Sequence, residues 1–230
     1  MSIPPVADRR RVLLVDDHPF MRAGLAQLID RQPDLVVCGE AGNPSEAMQA
    51  LAKLKPDLVL SDLTMPGRSG LEFIKDLLAA EPRLAVLVVS MHDEVVYAER
   101  ALRAGARGYI MKEAGGENLL AAIRQILKGE VYVSPRMSAR ILDGMSGATP
   151  RGSTSPIQKL TDREFEIFQL IGQGKSTRDI ASELHLSPKT IDVHRSHIKE
   201  KLKLKDVTAL VRHAVRWVET EGQRDRSDPS

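Results

Sequence analysis

Five polar residues close short apolar runs in the first half of the chain. Asp16 and Asp17 follow "RVLLV", Asp62 follows "DLVLS", Ser90 ends "LAVLVVS" and Lys112 follows "GYIM". Four run ends thus supply three carboxylates, one hydroxyl and one ammonium. One aspartate after a strand is ordinarily a turn or cap residue, but that reading does not explain all of these together. Three carboxylates within a few ångström repel unless they are protonated or neutralised. A divalent cation resolves the repulsion, and an all-oxygen donor set without His or Cys favours Mg²⁺ over zinc. An aspartate facing Mg²⁺, a lysine and a serine has the parts for phosphoryl transfer to the carboxylate itself.

These residues must be brought together by the elements that carry them. From Arg11 to Gly129, β-branched runs alternate with helix-period segments such as "PFMRAGLAQLIDRQ" and "GENLLAAIRQILKG". Five such alternations predict a doubly wound, five-stranded parallel sheet with helices on both faces, an α/β unit. The central runs are apolar without alternation, as strands covered on both sides should be. In an open parallel sheet, ligands bind outside the carboxyl ends of the strands, where strand order reverses. The five polar residues all belong to that rim.

"VLLVDDHPFMRAGL", "DLVLSDLTMPGRSGLEFI", "VLVVSMHDE" and "ARGYIMKEA" together resemble the receiver domain of two-component response regulators, a flavodoxin-like fold. The resemblance implies that Asp62 is the phosphoacceptor. It implies that Asp17 is a direct Mg²⁺ ligand beside Asp62 and Asp16 a water-mediated one, with the Thr64 backbone carbonyl completing the protein's share. Lys112 would pair with a phosphoryl oxygen and Ser90 would hydrogen-bond another. Tyr109 occupies the aromatic switch position, and a half-buried strand tyrosine is the bland alternative for it. Thr64 and His92 fall where the family tunes phosphoryl lifetime, and Glu113 stands where many receivers have proline.

The second half has a different period. "PRMSARILDGM" predicts a short helix, and "SGATPRGSTSP", Ser146 to Pro156, has the composition of a flexible linker. From Leu160 four helical segments follow, each opened by Ser, Thr or Asp at a predicted N-cap, with Thr161 and Glu164 at capping-box spacing. They predict an all-α, four-helix helix-turn-helix unit. Between His185 and Arg216 eight basic residues face three acidic ones, a net +5 against +2 for the whole chain. The cationic charge is concentrated there, as a phosphate-binding surface requires.

In "SPKTIDVHRSHIKEKLKLK" the stripe Ile191, Ile198 and Leu202 faces inward at helical spacing, leaving Lys189, Asp192, Val193, Ser196, Lys199 and Lys203 outward. Ser187 caps this helix, and its first turn places Lys189 and Thr190 for a DNA phosphate. An outward valine suits a thymine methyl. Asp192 is an acid on a basic surface, with Lys189 and Arg195 three residues to either side. It suits an acceptor for cytosine N4, a tether for a basic neighbour, or a stabiliser of the helix N-terminal half.

This segment resembles the LuxR-type helix-turn-helix of the NarL/FixJ branch of response regulators. That resemblance implies base reading at Asp192, Val193 and Ser196, with Lys189, Thr190, Arg195, Lys199 and Lys203 in the DNA contact. The expected organisation is a receiver over residues 9–131, a linker with a short helix over 132–157, a helix-turn-helix domain over 158–219 and a disordered tail over 220–230. The expected function is a DNA-binding transcriptional regulator phosphorylated on Asp62 by a sensor histidine kinase. Phosphorylation would control homodimerisation or exposure of the helix-turn-helix, and the expected nucleic-acid partner is duplex DNA.

A constitutive regulator that keeps the receiver fold is the alternative. An aspartyl-phosphate phosphatase is disfavoured because Thr64 stands where a second aspartate would serve as general acid. A small-molecule-sensing regulator is disfavoured by the polar rim. Composition adds bounds: 42% hydrophobic and 28% charged residues describe a globular chain, and 3% aromatics predict aliphatic cores. With Cys38 alone there is no intrachain disulfide, which is consistent with a reducing compartment. No run is long and apolar enough to span a bilayer, so a cytoplasmic, membrane-free protein without enzymatic turnover is expected.

Overall fold

The structure, a computed structural model, describes residues 9–65, 69–145 and 156–224, with side chains through 142 and 220. It forms two compact units that divide between Ala139 and Arg140. In the first unit five strands, β1 (Arg10–Val15), β2 (Leu35–Ala41), β3 (Leu58–Ser61), β4 (Ala85–Ser90) and β5 (Gly108–Met111), alternate with five helices. The helices are α1 (Pro19–Asp30), α2 (Pro44–Leu54), α3 (Gly70–Ala80), α4 (Glu94–Arg103) and α5 (Gly116–Leu127). The strands pair in the order β2-β1-β3-β4-β5, all parallel.

The order arises because β1 and β3 are apolar on both faces and must lie inside the sheet. Val12, Leu14, Leu58, Leu60, Leu87 and Val89 turn to one face and pack with Leu119, Ile123 and Ile126 of α5. The alternating residues Leu13, Val59, Val86 and Val88 are buried as well, as are Phe73, Ile74 and Leu77 of α3 and Ala98 and Ala101 of α4. Each fully buried leucine or isoleucine contributes ~1.5–3 kcal/mol relative to exposure. The strand order reverses beside β1, so the carboxyl ends of β1 and β3 flank the crevice of the sheet. Gly70 opens α3 where only glycine fits: a Cβ there would stand 2.4 Å from the Leu63 carbonyl oxygen.

The first unit continues past the expected boundary at residue 131. Tyr132 donates its N–H to the Arg107 carbonyl and accepts from the Tyr109 N–H, each at 3.0 Å, which adds a bridge beside β5. Ser134 then opens helix α6 (Pro135–Met145): its hydroxyl accepts from Met137 N and donates to the Glu94 carboxylate at the start of α4. The apolar residues of "EVYVS" satisfy a sheet edge, which the helix-plus-linker expectation overlooked. Ser146–Ser155 of the expected linker lie outside the described residues. Pro156 belongs instead to a short 3-10 turn, Pro156–Lys159, whose Ile157 is buried.

The second unit consists of α7 (Asp162–Gly172), α8 (Thr177–Glu183), α9 (Pro188–Lys201) and α10 (Val207–Arg224). Capping boxes open α7 through Thr161 and Glu164 and α8 through Ser176 and Asp179. Between α8 and α9 the chain turns at His185, whose φ of 52° lets Leu186 N reach the Ala181 carbonyl at 2.9 Å. The core here is not purely aliphatic: Trp217 meets Phe165 edge-on at 5.4 Å and lies 5.9 Å from Phe168. The few aromatic residues are clustered at one place. Helix α10 also runs into the expected tail, to Arg224, because no proline occurs before Pro229 to stop it. Residues 225–230 lie outside the described residues.

Candidate functional site

The carboxyl ends of β1, β3 and β5 deliver Asp16, Asp17, Asp62 and Lys112 to one cluster. Lys112 Nζ lies 2.7 Å from Asp16 Oδ2 and 2.7 Å from Asp62 Oδ2, and the three side chains are 4–5% exposed. Burial opposes the ammonium charge. The hydrogen bonds to Asp16 and Asp62, with their charges, outweigh it and raise the Lys112 pKa above the ordinary lysine value. Asp62 Oδ1 is held separately, accepting from Leu63 N at 2.6 Å and Thr64 N at 3.2 Å. Each oxygen of Asp62 therefore has its own anchor.

Asp16, Asp17, His18 and Asp62 each offer one donor atom, all within 4.8 Å of one another. His18 was not anticipated, although its position next to the two aspartates was visible. Its Nδ1 lies 2.8 Å from Asp17 Oδ1 and 3.1 Å from Asp16 Oδ1. Only the approach to Asp16 has hydrogen-bond alignment, so the buried Asp17 Oδ1 lacks a donor among the described residues. Arg22, also unanticipated, donates from Nη1 to the Asp16 carbonyl. Three carboxylates, one ammonium and an orphaned buried carboxylate oxygen fit a divalent cation.

Ser90 and Tyr109 form a second group beside this cluster. Ser90 is fully buried and its Oγ accepts from His92 N at 3.3 Å. Tyr109 is 1% exposed rather than half-buried, and its hydroxyl donates to the His92 carbonyl at 2.6 Å. Burial pushes its phenol well above the usual tyrosine value, against a hydrogen bond with Ser90. His92 stacks on Tyr97 at 4.6 Å, and its Nε2 lies 2.7 Å from Thr64 Oγ1. Thr64 itself directly follows Leu63 on the exposed side of the loop.

In the helical unit, Ile191, Ile198 and Leu202 are buried and Val193 is 48% exposed, together with exposed Lys189, Asp192 and Ser196. Lys199 is half-buried, and Lys203 falls beyond the end of α9, in the turn, with φ 54°. Thr190 is engaged by the cap: its N–H donates to Ser187 Oγ at 3.1 Å and the two hydroxyls are 2.7 Å apart. Arg195, expected in the DNA contact, turns to Thr177 of α8. Asp192 makes no ion pair among the described residues, so the tether to Arg195 is not formed. Burial lowers the pKa of His194 below the usual histidine value.

An acidic rim on a doubly wound five-stranded sheet, followed by a helix-turn-helix unit, defines a phosphorylation-type receiver joined to a DNA-binding module. Comparison with known families agrees. Residues 12–124 match the response regulator receiver domain, and residues 158–214 match the bacterial regulatory proteins of the luxR family. Over 210 residues the chain is 36% identical to the oxygen regulatory protein NreC of Staphylococcus aureus, covering 90% of this chain and 97% of that one. It belongs to the NarL-type two-component response regulators, the DNA-binding transcription regulators with this domain pair.

Among solved structures, a LuxR-family two-component response regulator from Aurantimonas is 35% identical with a TM-score of 0.56, covering 60% of this chain and 99% of that one. RcsB of Salmonella enterica serovar Typhimurium shares the fold with a TM-score of 0.69 at 23% identity, covering 90% of this chain and 98% of that one. No helix among the described residues is long and apolar enough to cross a membrane.

Proposed function

We propose that Asp62 is the phosphoacceptor of this regulator, with a sensor histidine kinase as the donor. The observation that carries the reading is the Lys112 ammonium held at 2.7 Å from both Asp16 and Asp62. In the transfer, an Asp62 oxygen forms the O–P bond as the P–N bond of a phosphohistidine breaks, and the electron pair leaves with the imidazole nitrogen. Lys112 can follow the added charge without leaving the site, because one of its two anions becomes the phosphorylated group. Asp16, Asp17, Asp62 and the Thr64 carbonyl would hold Mg²⁺, which when bound offsets charge on the phosphoryl oxygens.

The Ser90 hydroxyl, which accepts a long bond from His92 N and shares a hydrogen bond with Tyr109, would turn to donate to a phosphoryl oxygen. Drawing Ser90 toward Asp62 changes the polar surroundings of the Tyr109 hydroxyl, and Tyr109 in turn holds the His92 carbonyl just before α4. The α4 end of the receiver is thus linked to the charge state of Asp62.

For the second unit, α9 is the element that enters the major groove of duplex DNA. Asp192, Val193 and Ser196 face the bases, while Lys189, Thr190, Lys199, Lys203 and Arg195 serve the backbone. The asymmetry of one short helix favours a homodimer on paired half-sites. Asp192, with no basic tether, is suited to accept from cytosine N4.

The test is labelling of the full chain by a radioactive acyl phosphate with Mg²⁺. Wild type is expected to take up label and Asp62→Ala is not; equal labelling of the two would overturn the assignment of Asp62.

A further inference from the structure

Arg195 lies in α9, yet its side chain does not join the groove-facing set. At about 100° per residue it is ~200° round the helix from Val193. That places it beside the buried Ile191 and Ile198, on the side toward α8. Its long stem emerges between the two helices, and Nη1 donates to the Thr177 hydroxyl at 2.5 Å, eighteen positions away in sequence. Thr177 is the first residue of α8. The contact joins the two helices of the helix-turn-helix through a side chain rather than through the turn.

The guanidinium is left incompletely used. It carries five N–H donors, and the Thr177 hydroxyl is its one hydrogen-bond acceptor among the described residues. Its Nε is buried and has no partner. The carboxylate of the first turn of α8 turns elsewhere: Asp179 Oδ2 accepts from Ser176 Oγ at 2.6 Å and from the Ser176 backbone N–H at 3.1 Å, and makes no ion pair with Arg195. Asp192 makes no ion pair with it either. A positive group fixed at the start of the first helix, with donors to spare and no anion, is matched to an incoming anion. In helix-turn-helix complexes the first helix crosses the DNA backbone while the second enters the groove.

From this we infer that Thr177 is a positioning residue: its hydroxyl holds Arg195 for a DNA phosphate, so that Arg195 fixes the register of α9 and reads no base. The inference rests on the DNA-contacting role of α9 and extends it to a residue of α8. A threonine hydroxyl suits this role because it fixes one N–H of the planar guanidinium and leaves the others oriented. Without the hydroxyl, Arg195 keeps its charge but loses a defined pose.

The test compares full-length wild type with Thr177→Val, Thr177→Ser, Arg195→Ala and the Thr177→Val/Arg195→Ala double variant. Affinity is measured by fluorescence anisotropy over a salt series. Two duplexes are used: one selected by wild type from a random library, and a scrambled version of it. Each phosphate contact contributes about −0.9 to the slope of log affinity against log salt. Thr177→Val should flatten that slope by about 0.9 and bind roughly tenfold more weakly at the lowest salt, on both duplexes. Thr177→Ser should match wild type within about twofold, because it keeps the hydroxyl. The double variant should be no weaker than Arg195→Ala.

A wild-type slope for Thr177→Val, or additive losses in the double variant, would overturn the inference. So would a loss confined to the selected duplex, since that would mean base reading. If Thr177→Val does not fold, Arg195→Gln decides: it must flatten the slope on both duplexes, and an unchanged slope overturns the role of Arg195. Absence of DNA binding by wild type would instead sink the recognition-helix reading from which this one starts.

Discussion

Replacing Lys112 by methionine keeps most of the apolar stem and removes one charge from the centre of the acidic cluster. In the folded protein that charge lies 2.7 Å from two carboxylate oxygens, and all three side chains are nearly inaccessible to water. Removing one partner of a buried ion pair costs about 3–5 kcal/mol, because the remaining charges stay buried without compensation. For a unit of this size each kcal/mol shifts the melting temperature by ~3–4 °C, so a fall of roughly 9–20 °C is expected.

The pH dependence carries the sign. The folded-state pKa of Lys112 is raised above its unfolded value, so the stability it contributes is fully present below pH ~10 and is lost as the pH rises through the folded value. The deficit of the variant is therefore complete at neutral pH and narrows in strong base. Mg²⁺ should restore more stability to the variant than to wild type, since it replaces lost positive charge; saturation at ~100-fold over Kd is worth ~2.7 kcal/mol. The measurement is thermal unfolding by circular dichroism with and without Mg²⁺ at pH ~7, and without it from there up to about pH 11. The only tryptophan, Trp217, lies in the other unit and supplies an internal control by fluorescence. A deficit that ignores both pH and Mg²⁺ would refute the electrostatic account of this cluster, and a matching shift in Trp217 fluorescence would refute its localisation.

Two further predictions concern the helical unit. Glu164 is 3% exposed, accepts from Thr161 N at 2.8 Å and pairs with Lys201, contacts that outweigh burial and hold its carboxyl below the usual glutamate value. Glu164→Gln should lose about 2 kcal/mol at neutral pH. Since the folded-state pKa is depressed, that stability is present above pH ~4.3 and is lost as pH falls through the folded value. Trp217-monitored urea melts at pH 7 and pH 3.5 check this: the gap between wild type and variant should shrink in acid, and a constant gap counts against it. Gly172→Ala would place a Cβ 2.5 Å from the Ala214 carbonyl oxygen and 2.5 Å from Val218 Cγ2, forcing α7 and α10 apart. Overpacking of about 1–3 kcal/mol exceeds the gain of ~1 kcal/mol in helix propensity, so the variant should melt lower; an unchanged or higher melting temperature would show that the helices part freely.

The receiver was legible in the sequence because its information is local. An apolar run without alternation names a strand covered on both faces, and the polar residue that ends the run names the rim. Where information came from packing, the sequence was silent. "EVYVS" has too few residues to announce a strand, and only the open edge of β5 gives Tyr132 its backbone partners. Aromatic scarcity predicted aliphatic cores, yet scarcity says nothing about distribution, and Phe165, Phe168 and Trp217 gather in one place.

The surface of α9 shows the same division. The sum of charges located the phosphate-facing unit, because counting needs no coordinates. It did not separate the cations within it. Lys189 is exposed, Lys199 is half-buried, Lys203 sits in a left-handed turn, and Arg195 is drawn to α8 by a hydroxyl whose partner was eighteen residues distant. Spacing alone left three uses open for Asp192, one of them a tether for a basic neighbour, since Lys189 and Arg195 lie three residues to either side. Asp192 lies only ~60° round the helix from Arg195, within reach, yet the half-buried guanidinium donates to the Thr177 hydroxyl of α8 instead. With Arg195 committed to α8, the Asp192 carboxylate stays exposed and unpaired beside Val193 and Ser196. An acid left free on a cationic surface repels phosphate, and accepting from a base edge, as proposed above, would offset that cost.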